Sequence, residues 1–346
     1  MKARGLAVLK AKELLQPYEF ERRELRPNDV AIDVAYTGIC HSDIHQAREE
    51  WGPSIFPMVP GHEIAGTVSA IGSQVSKFAV GDRIGVGVYI DSCRTCENCL
   101  GGLSQYCLNG MTATYNGMER DGTTIANGGY SNIFVVDSDY AVHIPKNLPL
   151  QAVAPLLCAG ITLYSPLRKW GTKTGMKVGI MGLGGLGHMG VKFAKAMGAE
   201  VTVFSHSPSK EKDALAMGAH HFVCTTDITV LHSMRKKFDL IINAVSAELD
   251  INEYLKLLKI DSTLVIVGIP GKPYAVEAGV MLDGRRNLAG SMIGAVSELQ
   301  EMMDFCGEHG IVSDVEVINA DYANEAYERT IKSDVKYRFV IDATSF

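Results

Sequence analysis

Four closely spaced cysteines constrain this chain more than any other feature of its sequence. Cys93, Cys96, Cys99 and Cys107 follow a Cys-x2-Cys-x2-Cys-x7-Cys spacing, so their thiolates can converge tetrahedrally on one soft or borderline cation. A closed set of four sulfurs is typical of a structural zinc site. We therefore predict a zinc-stabilised lobe over residues 93–107.

The composition indicates a two-domain protein that acts on small molecules. The chain has 346 residues, of which 47% are hydrophobic, and two domains of roughly 150 to 200 residues are expected at this length. The net charge is only −6, and lysine and arginine are spread along the sequence. This pattern argues against a nucleic-acid groove or an anionic membrane surface as the partner.

Nothing at the start of the chain or in its apolar runs indicates export or membrane insertion. Lys10, Lys12 and Glu13 interrupt any signal-peptide segment, and no apolar run reaches the ~18 residues needed to cross a bilayer. We therefore expect a cytoplasmic protein whose thiols stay reduced and bind metal rather than form disulfides. Cys224 and Cys306 match no metal motif and are expected to be buried thiols.

The sequence pattern changes near residue 150. Residues 25–90 contain short β-rich runs separated by Gly, Pro and Asp turns, which predicts a small, mostly β domain. After the change, strands and helices alternate: the predicted elements include an apolar segment Ala152–Leu167, strands Lys177–Met181 and Phe238–Asn243, and helices Leu186–Met197, Ile251–Leu258 and Val296–His309. These βαβ units predict an α/β protein with a parallel, six-stranded nucleotide-binding sheet.

A glycine-rich motif follows the first of these predicted strands and opens a helix. The motif is Gly182-Leu183-Gly184-Gly185-Leu186-Gly187. In this context the glycines provide a tight turn, close approach of backbone amides to a pyrophosphate, and packing of helix on strand. A purely structural glycine turn is the alternative. We predict dinucleotide binding through Gly182, Gly184, Gly185, Leu186 and Gly187.

The next strand indicates which dinucleotide is bound. An NAD-binding site would place an acidic residue ~20 residues past the glycines to bind the ribose 2′-hydroxyl. The sequence there is instead Ser205-His206-Ser207-Pro208-Ser209-Lys210. Its hydroxyls and cation suit a 2′-phosphate, so Ser205, Ser207 and Lys210 predict NADP(H). The alternative is a polar loop and helix cap.

A second, scattered set of soft ligands indicates a catalytic metal. Cys40, His62 and Cys158 could meet at the cleft between the two predicted domains, where two thiolates and one imidazole leave a fourth zinc position open. Taken singly, a buried cysteine is usually a small hydrophobe and a lone histidine a hydrogen-bonded structural residue. As a set beside the other motifs, the three residues favour a catalytic zinc site.

With these motifs the chain closely resembles the zinc-dependent medium-chain alcohol dehydrogenases, in particular the NADP-dependent cinnamyl alcohol dehydrogenase-like branch. The resemblance runs nearly end to end. Besides the cysteine lobe and the glycine motif, it rests on Gly38-Ile39-Cys40-His41-Ser42-Asp43, Pro57-Met58-Val59-Pro60-Gly61-His62-Glu63, Leu157-Cys158-Ala159-Gly160 and Gly290-Ser291-Met292-Ile293-Gly294.

The resemblance implies a fold and a domain division. It implies a GroES-like, mostly β catalytic domain built from residues 1–154 and 294–346, around a Rossmann doubly wound parallel-sheet domain at 155–293 that binds NADP. It also suggests a homodimer formed through the edge of the Rossmann sheet.

The resemblance also implies roles for residues around the catalytic zinc. Cys40, His62 and Cys158 match the zinc ligands, and Glu63 matches a residue that can move onto the metal. Asp43 matches the carboxylate that orients a zinc-ligating imidazole.

A proton relay and a reaction follow from the same resemblance. Ser42 matches the hydroxyl that exchanges a proton with the substrate, and His45 looks like the next member of the relay. The alternative for both is ordinary turn chemistry beside Asp43. The implied reaction is hydride transfer between a nicotinamide and a primary alcohol or aldehyde, assisted by a Lewis-acidic zinc ion.

For several residues near these motifs, two roles stay open. Trp51, Met292 and Ile293 match positions that line the substrate pocket of the family, where bulky apolar walls suit aromatic or medium-length aliphatic aldehydes; ordinary core packing is the alternative. His41 stands where many relatives carry an arginine that contacts pyrophosphate. A phosphate contact and a solvated loop histidine both stay open for His41.

Two further functions compete with the leading one. A sorbitol-type polyol dehydrogenase shares the fold and the zinc chemistry, but the segment Ser205–Lys210 and the apolar Trp51 argue against it. A catalytically inactive nucleotide-binding sensor is the non-enzyme alternative. Retention of Cys40, Ser42, His62 and Cys158 argues against that reading, because an inactive site has no use for a relay.

Overall fold

The computed structural model describes all 346 residues of the chain and divides it into two compact units. The first unit contains Met1–Cys158 and Ala295–Phe346, and the second contains Ala159–Gly294.

The strands are β1 (Lys2–Ala7), β2 (Gln16–Glu21), β3 (Asp29–Gly38), β4 (Ile64–Ile71), β5 (Arg83–Val86), β6 (Tyr89–Asp91), β7 (Thr112–Ala113), β8 (Gly117–Met118), β9 (Ile125–Ala126), β10 (Ile133–Asp137), β11 (Ala141–His143), β12 (Lys177–Met181), β13 (Glu200–Ser205), β14 (His221–Cys224), β15 (Phe238–Asn243), β16 (Leu258–Ile266), β17 (Asn287–Gly290), β18 (Val315–Ile318) and β19 (Arg338–Asp342). The α-helices are α1 (His41–Ala47), α2 (Glu97–Leu100), α3 (Leu150–Val153), α4 (Ala159–Lys169), α5 (Gly187–Ala196), α6 (Glu211–Ala216), α7 (Ile228–His232), α8 (Ile251–Leu255), α9 (Ala278–Leu282), α10 (Val296–His309) and α11 (Ala323–Ile331).

The first unit is built on a seven-stranded sheet. Its order is β11-β5-β4-β3-β19-β18, and β10 also pairs with β3. The long strand β3 is rich in β-branched residues that fit a buried, pleated surface. The last strand, β19, pairs antiparallel with β3, so the end of the chain completes the sheet formed by its beginning.

One hydrophobic cluster of this unit lies next to the segments that carry the predicted zinc ligands. It includes Ile39 and Ile44 on either side of Cys40, Met58 and Val59 before His62, and Phe339 from β19. Because the residues flanking the ligands are anchored in one core, the ligand side chains are held in fixed positions.

The second unit is a doubly wound α/β domain. Its six strands follow the order β14-β13-β12-β15-β16-β17, and every pair along it is parallel. The strands are apolar runs because helices cover both faces of such a sheet. A nucleotide binds at the carboxyl ends of strands where the order reverses, which here is beside β12. The predicted fold class is thereby confirmed.

Most predicted elements of the second unit end within a residue or two of the observed ones, with one clear exception. The helix predicted over Ile251–Leu258 ends at Leu255, because Leu258 already begins β16. The apolar segment Ala152–Leu167 is also broken, since α3 and a 3₁₀ turn (Ala154–Leu157) precede Cys158 and α4 follows it. Cys158 therefore lies at a break between helices.

No single helix has the length and apolar character required to cross a membrane. The segments Leu150–Leu157 and Ala159–Lys169 meet that requirement only when counted together as a bent pair.

Candidate metal centres and cofactor site

The predicted catalytic ligands converge within the first unit. The ligand atoms of Cys40, His62, Glu63 and Cys158 lie within 4.8 Å of one another, and all four residues are buried. Cys40 Sγ and Cys158 Sγ are 4.0 Å apart, close to the separation of two thiolates on one tetrahedral zinc ion with bonds of about 2.3 Å. Residues from three distant parts of the sequence thus form one cluster.

The hydrogen bonds of His62 leave one ring nitrogen for a metal. His62 Nδ1 lies 3.2 Å from Asp43 Oδ1, whereas His62 Nε2 is buried and has no hydrogen-bond partner. A buried polar atom without a partner is costly and usually has a functional reason. Two sulfurs and one free imidazole nitrogen form the donor set that zinc prefers, so these residues fit a zinc ion.

The electrostatics of the cluster also suit a cation. The hydrogen bond between the two sulfurs lowers the pKa of Cys40 and raises the pKa of Cys158, and a bound cation would favour the thiolate form of both residues. Burial lowers the pKa of His62, but the Asp43 carboxylate and the Cys40 sulfur together outweigh burial and raise this pKa well above its usual value.

Asp43 organises the loop that carries Cys40. The carboxylate is fully buried and accepts the backbone N–H of Cys40 at 2.8 Å and that of Gly61 at 3.1 Å. It therefore fixes the start of α1, and with it Cys40, relative to the segment that contains His62. This geometry is the one expected for a carboxylate that orients a ligating imidazole.

Glu63 is held beside the cluster by an arginine that sequence motifs did not single out. Arg338, at the start of β19, forms a buried ion pair with Glu63 Oε1 and donates to Ile39 O at 2.8 Å. Glu63 Oε2 has no hydrogen-bond partner, and a Cβ at Gly38 would lie 1.9 Å from it. Burial raises the pKa of Glu63 to about 7, although Arg338 opposes this rise.

The predicted relay residues lie on α1. Ser42 Oγ is 3.5 Å from Cys40 Sγ, so the hydroxyl stands beside the metal ligands. His45 Nδ1 is hydrogen-bonded to the Glu50 carboxylate, and its ring stacks on Trp51 at a centroid distance of 4.7 Å. Glu50 was not predicted from the sequence; its bond to Nδ1 leaves His45 Nε2 available for proton exchange.

The four-cysteine lobe also has the geometry of a metal site. The four sulfurs lie within 4.8 Å of one another, with Cys96 Sγ and Cys99 Sγ 3.5 Å apart. Backbone N–H groups point at the sulfurs, from Cys96 to Cys93 Sγ at 3.3 Å and from Leu108 to Cys96 Sγ at 3.5 Å. Such bonds favour thiolates, and the backbone bonds from Thr95 and Cys96, together with a side-chain bond from Asn109, lower the pKa of Cys93 to about 5.

In the second unit the glycine motif forms the turn that the sequence predicts. Gly182 has φ of +85°, a conformation that other residues rarely adopt. A Cβ at Gly187 would lie 1.9 Å from Gly182 O, whereas one at Gly184 would meet no atom within 4 Å. Gly185 and Leu186 continue the turn into α5, so Gly184 has free space beside it and a helix N-terminus follows.

The predicted 2′-phosphate residues lie next to this turn. Ser205 ends β13, and its Oγ accepts the N–H of Ser207 at 3.2 Å. Lys210 Nζ donates to Leu183 O, within the glycine motif, at 2.8 Å. The loop after β13 and the glycine motif are therefore linked directly by Lys210.

Other predicted residues had mixed outcomes. Trp51 is 44% exposed and Met292 is 42% exposed, so neither is an ordinary core residue; that they line a substrate pocket together with Ile293 stays a prediction. Cys306 is buried, as predicted, but the prediction for Cys224 is wrong, because this thiol is partly exposed. Cys224 ends β14, which is an edge strand of the six-stranded sheet and pairs with another strand on one side only.

Comparison with known proteins identifies relatives of this chain. The protein-family model for the alcohol dehydrogenase GroES-like domain matches residues 26–146, and the family model for zinc-binding dehydrogenases matches residues 185–308. NADP-dependent alcohol dehydrogenase C 1 of Mycolicibacterium smegmatis is 54% identical over 98% of this chain and 97% of its own. Aldehyde reductase YahK of Escherichia coli is 50% identical over 99% and 98%.

A solved structure extends the similarity to the whole fold. A cinnamyl alcohol dehydrogenase of Sorghum bicolor superimposes with a TM-score of 0.96 at 44% identity, covering 99% of this chain and 98% of that one. Taken with the two matching domain models and the near full-length relatives, this similarity shows that the chain belongs to the zinc-dependent medium-chain alcohol dehydrogenase family.

Proposed function

We propose that this protein interconverts primary alcohols and aldehydes by hydride transfer with NADP(H), using a catalytic zinc ion held by Cys40, His62 and Cys158. The observation that carries the proposal is the buried cluster of these ligands, in which His62 Nε2 has no other partner. The similarity to an NADP-dependent alcohol dehydrogenase and an aldehyde reductase supports the same reaction.

The cofactors supply the chemistry that side chains cannot. When bound, zinc provides a Lewis acid that polarises the substrate oxygen, and NADPH provides the hydride. The protein provides position and protons. Ser42 exchanges the proton of the substrate oxygen, and His45, whose tautomer is fixed by Glu50, exchanges that proton with solvent.

The structural zinc has a different role. Cys93, Cys96, Cys99 and Cys107 hold it with no open position, so it stabilises the lobe and takes no part in turnover. The enzyme accordingly carries two zinc ions per chain, one catalytic and one structural.

Initial rates with both nicotinamide cofactors would test the proposed activity. We expect NADPH-dependent reduction of cinnamaldehyde, benzaldehyde and medium-length aliphatic aldehydes, with much lower rates for NADH. Faster oxidation of sorbitol than of cinnamyl alcohol would favour a polyol dehydrogenase instead. Absence of turnover in a protein that holds two zinc ions and binds NADPH would favour a nucleotide-binding sensor.

The cofactor preference is testable through Lys210. In Lys210→Ala we expect the Kd for NADPH to rise by about 10- to 100-fold, because a hydrogen bond to a charged group contributes roughly 1.5–3 kcal/mol. The Kd for NADH should change less than about threefold. The variant also loses the hydrogen bond from Lys210 to Leu183 O, which would affect the binding of both cofactors alike. The measurement is therefore the ratio of the Kd for NADPH to the Kd for NADH.

The neighbouring Lys212 provides the matched control for this variant. It is an exposed lysine two positions along the same segment, and Lys212→Ala should leave both Kd values unchanged. Equal weakening of NADPH and NADH in Lys210→Ala would contradict the assignment of Lys210 to the 2′-phosphate.

We also propose a cytoplasmic homodimer. The cysteines are free thiols, several of them partly exposed, as suits a reducing compartment.

Strand β17 ends the order of the six-stranded sheet, and its unpaired edge can join the same strand of a second copy. Light scattering should then give twice the chain mass of 37.5 kDa, and a monomer would exclude the dimer.

A further inference from the structure

The segment that carries His62 is held in position by residues 128–130, which contain no zinc ligand. Val59 to Glu63 precede β4 and form no regular strand. Three consecutive backbone N–H groups hold them instead: Gly128 donates to Val59 O at 2.7 Å, Gly129 to Gly61 O at 2.9 Å and Tyr130 to Pro60 O at 2.9 Å.

Tyr130 adds two side-chain contacts to this backbone clamp. The ring is fully buried and packs so closely on Gly61 that a Cβ there would lie 2.6 Å from Tyr130 Cδ1. The hydroxyl donates to Asp43 Oδ2 at 3.1 Å. A buried hydroxyl without a partner is destabilising, so this bond accounts for a tyrosine where a phenylalanine would fill the same space.

The hydroxyl of Tyr130 helps to fix the rotation of the Asp43 carboxylate. Oδ2 accepts from Tyr130 and from the N–H of Cys40. Oδ1 is then left facing the N–H of Gly61 and His62 Nδ1. If the carboxylate rotated, Oδ1 would move away from His62 Nδ1, and the hydrogen bond that orients the imidazole would weaken.

The clamp is itself anchored from its far side. The buried Arg22 guanidinium donates to Gly128 O at 2.6 Å and to Asn127 O at 2.8 Å, and stacks over the Phe134 ring at 4.4 Å. The segment from Asn127 to Tyr130 is therefore fixed between Arg22 and the His62 loop, so it can transmit position to the imidazole.

We propose that Tyr130 is a positioning residue for the catalytic zinc site, acting through the Asp43 carboxylate to hold the His62 imidazole with Nε2 directed at the metal. The inference rests on the proposed function, because it requires a zinc ion bound by His62. Tyr130 touches neither substrate nor cofactor in this role.

Zinc release from Tyr130→Phe tests the proposal without measuring turnover. Replacing residues that orient a metal-ligating histidine typically costs 10- to 100-fold in metal affinity; for a residue one step further away, we expect release to a chromogenic chelator to become about tenfold faster. The variant keeps the ring and the packing around it, so it should stay folded and melt well above the assay temperature. The d–d absorption of the cobalt-substituted enzyme should shift, as an altered imidazole position requires.

Tyr327→Phe provides the matched control. Tyr327 is a buried tyrosine of the same cluster whose hydroxyl lies 3.5 Å from Tyr130 OH. This variant keeps the bond between Tyr130 and Asp43, and we expect the release rate and the cobalt spectrum of the unmodified enzyme. The same acceleration in both variants would overturn the proposal, because it would show a general loosening of the cluster.

A double-mutant cycle decides whether Tyr130 acts through Asp43. If it does, Tyr130→Phe combined with Asp43→Asn should release zinc no more than about twofold faster than Asp43→Asn alone, because coupled residues are not additive. Rates that multiply would overturn the proposal, as would an unchanged rate in Tyr130→Phe. In Cys158→Ser the catalytic site should hold no zinc, so the release phase that remains belongs to the four-cysteine lobe. If the unmodified enzyme contains only one zinc ion per chain, that result contradicts the proposed function and not the role of Tyr130.

Discussion

Cys158→Ser should abolish aldehyde reduction while leaving NADPH binding intact. A serine hydroxyl is a poor zinc ligand, so the cluster keeps only one thiolate and one imidazole. A catalytic metal ion is worth several kcal/mol of transition-state stabilisation, and each 1.36 kcal/mol is tenfold in rate. We therefore expect kcat/KM to fall by at least about 10³-fold, measured by NADPH oxidation, with the Kd for NADPH changed less than about twofold.

Cys224→Ser is the control for this variant. Cys224 is a free, partly exposed thiol that belongs to neither group of candidate metal ligands, so its replacement should preserve both activity and zinc content. The assignment of Cys158 fails if Cys158→Ser keeps more than a tenth of the activity or still carries two zinc ions.

Removing one cysteine of the lobe should have a different and equally clear effect. We expect Cys99→Ser to contain one zinc ion per chain instead of two and to melt more than about 10 °C lower. At about 2–4 °C per kcal/mol for a domain of this size, that drop corresponds to roughly 3–5 kcal/mol. It is a modest part of the 10–16 kcal/mol apparent binding free energy of structural zinc in small peptides.

Turnover distinguishes the two zinc sites. The sulfurs of the lobe and the cluster at Cys40 form separate groups, so Cys99→Ser assayed well below its melting temperature should keep kcat within about twofold. Elemental analysis, calorimetry and initial rates together check the prediction. An unchanged melting temperature, or loss of turnover in fully folded protein, would show that the lobe is not a purely structural site.

Where local pattern determines structure, the sequence predicts this fold closely. Strands Lys177–Met181 and Phe238–Asn243 and helix Val296–His309 have the bounds expected from their apolar runs and turn residues. The end of α8 was missed, since Leu257 and Leu258 continue an apolar pattern that fits a helix or a strand equally well. Only pairing with β15 makes Leu258 part of a strand.

The same distinction applies to the site. Residue type is enough to select Cys40, His62 and Cys158 once the other motifs and the family resemblance are taken into account, because few side chains bind zinc. Arg338 and Tyr130 were not selected, because their roles arise from contacts with residues far away in sequence. An arginine that opens the apolar run of β19 is a weak signal of a buried ion pair, whereas nothing local marks Tyr130. The exposure of Cys224 depends on strand order, which no local pattern specifies.

The position of β19 has a consequence for biosynthesis. Strand β19 is translated after the whole of the second unit, yet it lies between β18 and β3 and contributes the arginine that pairs with Glu63. Domains fold as units during vectorial translation, so the second unit can form on the ribosome while the first still lacks an inner strand. Full assembly of the zinc-binding unit therefore awaits synthesis of β19, and a nonsense codon shortly before Arg338 would leave a polypeptide whose nucleotide-binding unit can fold but whose zinc-binding unit stays incomplete.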